Sequence, residues 1–299
     1  MEKPKLIAIV GPTASGKTSL SVTLAKKFGG EIISADSRQV YRGMNIGTGK
    51  ITKHEMRGIP HYLLDVASPK KIFTVTEFQK LGRTAIKKIL AKKKLPIIVG
   101  GTGLYVDALI RNYTFPGIKP DFALRKKLEA QPVEKLFAQL KKLDPRRAAT
   151  IDPKNPRRLI RALEIVLTTQ KPVPSREESL DSSSDYDVLI LGIKISEKKL
   201  HENIHRRLIA RLHQGMIQEV KNLHKAGISW KRLDSLGLEY RYISQYLQGK
   251  LSKQDLTIQL EKEIRNYAKR QMTWFKKNKN IVWIKNQKEA ERKIRRFLA

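Results

Sequence analysis

The stretch "KLIAIVGPTASGKTSL", residues 5–20, decides the fold. Residues 5–10 read as a short buried strand, and Gly11, four residues and then Gly16-Lys17-Thr18 follow it. That spacing, after a strand and before a helix, is a phosphate-binding loop. Its glycines let backbone N–H groups turn inward around phosphate oxygens, and the helix that follows presents its positive end. Lys17 supplies a point charge, and the Thr18 hydroxyl is suited to ligate Mg²⁺. Gly11, Pro12, Thr13, Ala14, Ser15, Gly16, Lys17 and Thr18 are therefore the candidate anion-binding residues. A loop of this kind usually holds a nucleoside triphosphate, which makes the identity of the phosphate the open question.

Outward from the loop, further apolar runs read as strands: "EIISA" at 31–35, "LPIIV" at 95–99, "DVLILGIKI" at 187–195 and "NIVWI" at 280–284. Helical patterns lie between them. One falls within 71–94, with Phe78, Leu81, Ile86, Ile89 and Leu90 near one side and Thr76 as its cap. Another is a long helix over about 197–226 closed by Gly227, with Ile204, Leu208, Leu212, Met216, Val220 and Leu223 as its apolar stripe and Arg207 and Arg211 on another face. A last one covers "DLTIQLEKEIRNYAKRQMTWFKK". Alternating strands and helices predict an α/β fold, a P-loop NTPase-like parallel sheet core flanked by helices, with ligands at the strand C-termini. Over 114–185 no convincing strand is seen, and prolines 132, 145, 153 and 156 break up short helical pieces. The reading is an α/β core of 1–113 and 186–299, with a helical insertion domain at 114–185 that leaves through a mobile linker, "KPVPSREESLDSSSD".

Charge is the loudest global property. Lys plus Arg number 61 against 28 Asp plus Glu, a net of +33 over 299 residues. Such an excess points to a polyanionic partner, with a lysine-rich solvated surface as the plain alternative. There is no cysteine, so disulfides and thiolate metal sites are excluded. No apolar run approaches the ~18–20 residues that span a bilayer, and "MEKPK" lacks a signal-peptide pattern. A cytoplasmic protein with no membrane association is expected.

Further motifs bear on chemistry. NTPases with this loop generally place a Mg²⁺-holding Asp after a neighbouring strand, but here "PIIV" runs into "GGTG". The acid at a strand end is Asp36, after "EIISA", either a metal or proton-accepting group or a turn cap. "GGTGLY" at 100–105 brings Thr102 to a third strand end, as a tight turn or as part of the site. In "KKLDPRRAATIDPKNPRRLIRALEIVL", Asn155 reads as a helix N-cap with Pro156 in the first turn. Its basic residues suit either phosphate-backbone contact or a solvated face. "RNYAKRQMTWF" mixes basic and aromatic residues, for base stacking or, for Trp274, core packing. The six histidines have no metal-ligand spacing, and a GxSxG nucleophile motif is absent.

Taken in order, "GPTASGKT", "ADSRQVY" (35–41), "GTGK" (47–50), "GGTGLY", "DPRRAATIDPKNPRRLIRALE" (144–164) and "YAKRQMTWF" (267–275) resemble the tRNA dimethylallyltransferases, also called tRNA isopentenyltransferases, of bacterial type. The resemblance implies that the loop holds the diphosphate of dimethylallyl diphosphate, with Mg²⁺, in place of ATP. It implies transfer of a dimethylallyl group to N6 of the adenosine 3′ to the anticodon, tRNA position 37, with N6-isopentenyladenosine and diphosphate as products. Asp36 would be the general base, Lys17, Thr18 and Arg207 would act on the diphosphate, Arg211 would extend that set, and Thr102 would lie near the substrate nucleotide. Asp36, Ser37, Arg38, Gln39 and Thr102, with Arg157, Arg158, Leu159, Ile160 and Arg161 of the insertion, would contact the tRNA anticodon stem-loop. A monomer with no obligate protein partner is expected. Two positions depart from the family pattern: Arg38 stands where a small residue is usual, and Leu238 where an aromatic one is.

Three other readings share some of these features. An adenylate isopentenyltransferase shares the loop but needs no basic insertion. A small-molecule kinase would use ATP and would want the Asp missing after "PIIV". A non-enzymatic RNA-binding protein would not need the loop together with Asp36.

Overall fold

The computed structural model describes residues 2–175, 178, 180–181 and 185–299. The chain divides into two compact units, Met1–Ile110 with Ser184–Ala299, and Arg111–Ser183. Among the described residues no helix is long and apolar enough to cross a membrane.

The first unit is built on a six-stranded sheet. Its strands in chain order are β1 (Lys5–Val10), β2 (Gly30–Ser34), β3 (His61–Tyr62) and β4 (Leu95–Gly100), followed, after the short pair β5 (Asn112–Tyr113) and β6 (Leu180–Asp181) of the second unit, by β7 (Asp187–Ile193) and β8 (Ile281–Ile284). The spatial order is β3-β2-β4-β1-β7-β8, and every pairing is parallel. A parallel sheet is covered on both faces, so its strands read as unbroken apolar runs. In β1 the alternation divides the strand between two cores: Leu6, Ala8 and Val10 pack on one side of the sheet, Ile7 and Ile9 on the other. All five are fully buried, and each such aliphatic side chain of Val or larger contributes roughly 2 kcal/mol. From β1 the chain goes out through β2 to β3, returns to place β4 between β2 and β1, then crosses to β7 and β8 on the other side. The C-terminal end of β1 is therefore the topological switch point, where ligands bind in open α/β sheets.

Several helix ends differ from the sequence reading. The helix Val75–Ala91 is capped by Thr74, not Thr76: only Thr74 stands three residues before Glu77, and the two form a reciprocal capping box. On that helix Phe78, Ile86 and Ile89 are buried, while Leu81 is exposed. The expected helix over 197–226 is two helices, Glu197–His213 and Met216–Lys225. Gly215, at φ 96°, takes the left-handed turn that separates them. The strand β3 was not legible, being two half-buried residues long.

The second unit contains helices Phe122–Glu129, Val133–Leu143, Pro145–Thr150 and Pro156–Thr169 around Leu128, Leu136, Leu140, Ile151, Leu159 and Leu163. Asn155 caps the last helix by accepting from the Arg158 amide, and Asp144 caps the third. The backbone of β5 pairs antiparallel with β6, where no strand was expected. Part of the segment 171–185, read as a linker, lies outside the described residues.

Glu164 is fully buried and is held by Arg125, by Arg161 and by the Asp121 amide. Burial alone would push its carboxyl up, but these hydrogen bonds outweigh it and hold it below the ordinary 4.5. The stabilisation is fully present above the unfolded carboxyl's pKa and is lost as pH falls through the lower folded one. Glu164→Ala strands two guanidinium groups and is expected to cost about 3 kcal/mol. Urea unfolding should show that loss at pH 7, and it should shrink below pH 4; equal loss at both pH values would contradict the ion-pair origin.

Candidate active site

The loop from Gly11 to Thr18 leaves the end of β1 and becomes the helix Lys17–Phe28. Gly16, at φ 86°, is the N-cap, and no side chain caps the helix. The helices that begin at Thr74, Ser196, Ser252 and Asn286 all have a side-chain cap. The first amides of Lys17–Phe28 are thus left for a ligand, together with the positive end of the helix. Ala14 sits at φ 60°, a costly conformation for a non-glycine residue. It is held there by Asn203, whose amide donates to the Ala14 carbonyl at 3.1 Å. Gln271 ties the loop to the next strand end: its Oε1 accepts from Thr13 N–H at 2.8 Å and its Nε2 donates to Gly101 O at 2.8 Å. The Ser15 hydroxyl is buried and has no protein partner.

Cationic side chains converge on this loop. Lys17 donates to the Pro12 carbonyl at 2.6 Å. Burial, and then the nearby Arg207, lower its pKa to about 7, against the opposing pull of Asp36. Arg207 is lowered to about 10 by burial and by Arg211. Both arginines reach the loop around "GTGK": Arg207 donates to Gly49 O at 3.4 Å and Arg211 to Gly47 O at 3.5 Å. Gly49 has to be glycine twice over. Its φ is 57°, and a Cβ there would lie 1.5 Å from Arg211 Nη2 and 2.2 Å from Arg207 Nη2. Glu239 lies 3.5 Å from Arg211, and burial pushes the Glu239 carboxyl up.

Two recesses meet at Lys17, Thr18 and Arg207, which line both. One also takes in Ala14, Ser15 and Gly16 of the loop, with Asn203, Arg206 and Arg57. The other takes in Asp36, Gln39, Tyr267 and Gln271, and a floor of Ile32, Ile51, Leu64 and Val99. Lys17, Thr18 and Arg207, with Ile51, therefore form a wall between a mouth at the loop, which also takes in Glu55, and a chamber that bears Asp36.

Asp36 ends β2 and caps its own turn, since Oδ1 accepts from the amides of Arg38 at 2.8 Å and Gln39 at 3.3 Å. The cap and the cavity position coexist, because both hydrogen bonds fall on one oxygen. The Gln39 side chain is engaged internally, donating to Thr48 O and Gly49 O and accepting from Ser34 Oγ. Ser37, Arg38 and Thr102 lie beside the chamber and do not line it. Thr102 Oγ1 accepts from Ser37 N–H at 3.2 Å and also bonds with Tyr267, joining two strand ends to a helix. Burial, and then Asp36, push the Tyr267 phenol up to about 12, so it remains a hydrogen-bond donor. Arg38 extends toward Gly237, and Leu238 packs against the core. The absent carboxylate after β4 has a steric reason: a Cβ at Gly100 would lie 2.1 Å from Ala35 O.

In the second unit Arg157 and Arg158 are exposed. Arg161 is engaged with Glu164 and the Ile118 carbonyl. Leu159 and Ile160, named with them in the sequence reading, are 0% and 7% exposed; packing occupies their side chains, so neither presents a surface to RNA. Trp274 is half-buried over Gly103 and donates to Asp107 at 3.2 Å, a packing role. Sequence reasoning missed Gln271 and Asn203. Gln271 was findable, as the polar member of the buried helical stripe Leu260, Ile264, Ala268, Gln271, Phe275. Asn203 gave no such signal, because its partner is a backbone atom 189 residues away.

Among the described residues no group of three or more His, Cys, Asp or Glu could cage a metal ion. The site instead offers the Thr18 hydroxyl and the Asp36 carboxylate beside the loop. That sparse set fits a divalent ion that keeps waters and shares phosphate oxygens, the usual habit of Mg²⁺.

Comparison with known proteins agrees with this geometry. The profile of the IPP transferase family matches residues 39–278. The tRNA dimethylallyltransferase of Pelotomaculum thermopropionicum is 42% identical over 97% of this chain and 93% of its own. A tRNA isopentenylpyrophosphate transferase structure from Staphylococcus epidermidis has 38% identity and a TM-score of 0.73, over 99% of both chains. A eukaryotic dimethylallyltransferase acting on tRNA has 27% identity and a TM-score of 0.80, over 94% of this chain and 74% of its own. On its sequence, its fold and the arrangement of its phosphate loop, the chain belongs to the IPP transferase family, that of the tRNA dimethylallyltransferases.

Proposed function

We propose that this protein transfers a dimethylallyl group from dimethylallyl diphosphate to N6 of adenosine 37 in tRNA, next to the anticodon. The observation that carries the reading is the shared wall of Lys17, Thr18 and Arg207, with the loop on one side and Asp36 on the other. The diphosphate binds at the loop, held by its amides, Ser15, Thr18, Lys17 and Arg207. The acceptor adenine, flipped from the anticodon loop, enters the chamber of Asp36.

The adenine N6 attacks C1 of the donor, and the C1–O bond to diphosphate breaks with its electron pair leaving on the diphosphate. Negative charge builds on that leaving group as the bond lengthens. Loop amides and buried cations already aimed there stabilise it without reorganising. An exocyclic amine is a weak nucleophile until its proton can leave, and Asp36 accepts that proton. Its turn hydrogen bonds fix Oδ1 and leave acceptor capacity on Oδ2. Mg²⁺ held through the Thr18 hydroxyl would add further neutralisation of the leaving group. Thr102 and Tyr267 position the Asp36 turn from behind.

The charge of +33 and the exposed Arg157 and Arg158 supply phosphate-backbone attraction for the anticodon stem-loop. Arg161 supports them indirectly, by its ion pair with Glu164.

Radiolabelled dimethylallyl diphosphate with Mg²⁺ should label an unmodified anticodon stem-loop, and AMP and ATP should stay unlabelled. Asp36→Ala is expected to lower kcat by about 10²–10⁴-fold with donor binding retained. Label on AMP in place of the stem-loop would refute the tRNA assignment. Affinity for the stem-loop should fall steeply with salt, and Arg157→Ala with Arg158→Ala should reduce the log–log slope by roughly one for each phosphate no longer neutralised; an unchanged slope would remove these two residues from the interface.

A further inference from the structure

Glu219 lies outside both recesses, yet both of its carboxylate oxygens are fully engaged. It sits on the helix Met216–Lys225, one turn after the Gly215 break. Its Oε2 accepts from the amides of Asn45 at 2.8 Å and Ile46 at 2.7 Å, and its Oε1 from Gly47 N–H at 3.0 Å. The phenol of Tyr240, buried to 1% exposure, donates to Oε1 at 2.8 Å. A carboxylate that collects three consecutive N–H groups orders the turn that bears them.

That turn is the one the arginines use. Its carbonyls at Gly47 and Gly49 receive Arg211 and Arg207, opposite the amides that Glu219 binds. One relay joins the two: the Ile46 amide that Glu219 binds shares its peptide group with the Asn45 carbonyl, which accepts from Lys50 N–H at 2.9 Å, and that amide's own peptide group carries the Gly49 carbonyl that receives Arg207. Polarisation of peptide hydrogen bonds in series strengthens each of them. The fit is also steric: a Cβ at Gly47 would lie 2.7 Å from the Tyr240 ring. The arginine helix and the Glu219 helix meet at Gly215, whose left-handed φ of 96° re-aims the second helix.

We infer that Glu219 is a positioning residue for the prenyl donor: it fixes the Asn45–Gly49 turn so that Arg207 is held toward the diphosphate wall. The inference rests on the proposed function, in that the anion at the wall is a diphosphate. Glu219 touches no substrate. It acts through the turn and so bears most on donor binding, and less on the acceptor chamber, which the turn meets through Thr48 and Gln39.

The test is binding of inorganic pyrophosphate with Mg²⁺, by calorimetry, together with steady-state kinetics on an anticodon stem-loop. Glu219→Gln is expected to weaken pyrophosphate about tenfold and to raise KM for dimethylallyl diphosphate to match, with a smaller change in KM for the stem-loop. In a double-mutant cycle with Arg207→Ala the two losses should be strongly less than additive, because both remove one guanidinium contact. Tyr240→Phe keeps the carboxylate, loosens it by one hydrogen bond, and should shift pyrophosphate affinity the same way by two- to threefold; it decides the matter if Glu219→Gln fails to fold. Unchanged pyrophosphate affinity in these variants, or additive losses in the cycle, would overturn the inference alone. Failure of the wild-type protein to bind pyrophosphate would overturn the functional reading beneath it.

Discussion

Lys17, Arg207 and Arg211 are brought together in a partly desolvated site, and the rest of the active site follows from that. Burial lowers the pKa values of all three, and repulsion from a neighbouring arginine adds to it for Lys17 and Arg207. Of the nearby carboxylates, Asp36 faces the chamber, Glu55 lines the mouth and Glu219 is taken up by the amides of the turn, while burial pushes Glu239 up. Such an arrangement is uphill in the free protein, and a multiply charged anion relieves it on binding. A leaving group that gains charge in the transition state relieves it further, so unfavourable electrostatics in the free enzyme become differential stabilisation of the reaction.

Holding three cations in place takes rigid support, and much of it is backbone. The sheet delivers the loop at its switch point, and Gln271 and Asn203 clamp the loop from two helices. The "GTGK" turn offers carbonyls to the arginines while Glu219 binds its amides. Glycine is required at 100, where a Cβ would meet the Ala35 backbone, and at 49, where φ is 57°. The same crowding accounts for the absence of the usual metal-holding Asp after β4. A chain that moves a prenyl group need not position a γ-phosphate, and that space is given to close strand-end packing.

Much of this was legible in the sequence, and the limits have physical causes. Runs such as "LIAIV" and "PIIVG" announced parallel strands because both faces of the sheet are buried. "HY" at 61–62 did not, since two half-buried residues have no period. The loop and Asp36 were legible because their parts are contiguous. Asn203 and the amide-binding role of Glu219 were not singled out, because the main-chain atoms they hold lie more than 160 residues away. The helix over 197–226 kept one apolar stripe across a break, because the stripe resumes at Met216 after Gly215. The basic cluster at 157–161 mixed exposed Arg157 and Arg158 with core Leu159 and Ile160, since charge clustering ignores which side of a helix faces out.

The most direct measurement is a crystal structure with Mg²⁺ and a non-reactive thio-substituted dimethylallyl diphosphate. The diphosphate is expected against the amides of Ser15–Thr18, with Lys17 swung from the Pro12 carbonyl onto its oxygens, Arg207 in contact with it, and the transfer carbon on the side of Asp36. A diphosphate bound away from the loop, or a prenyl carbon pointing out through the mouth lined by Arg57 and Arg206, would contradict the division of the site into a donor side and an acceptor side.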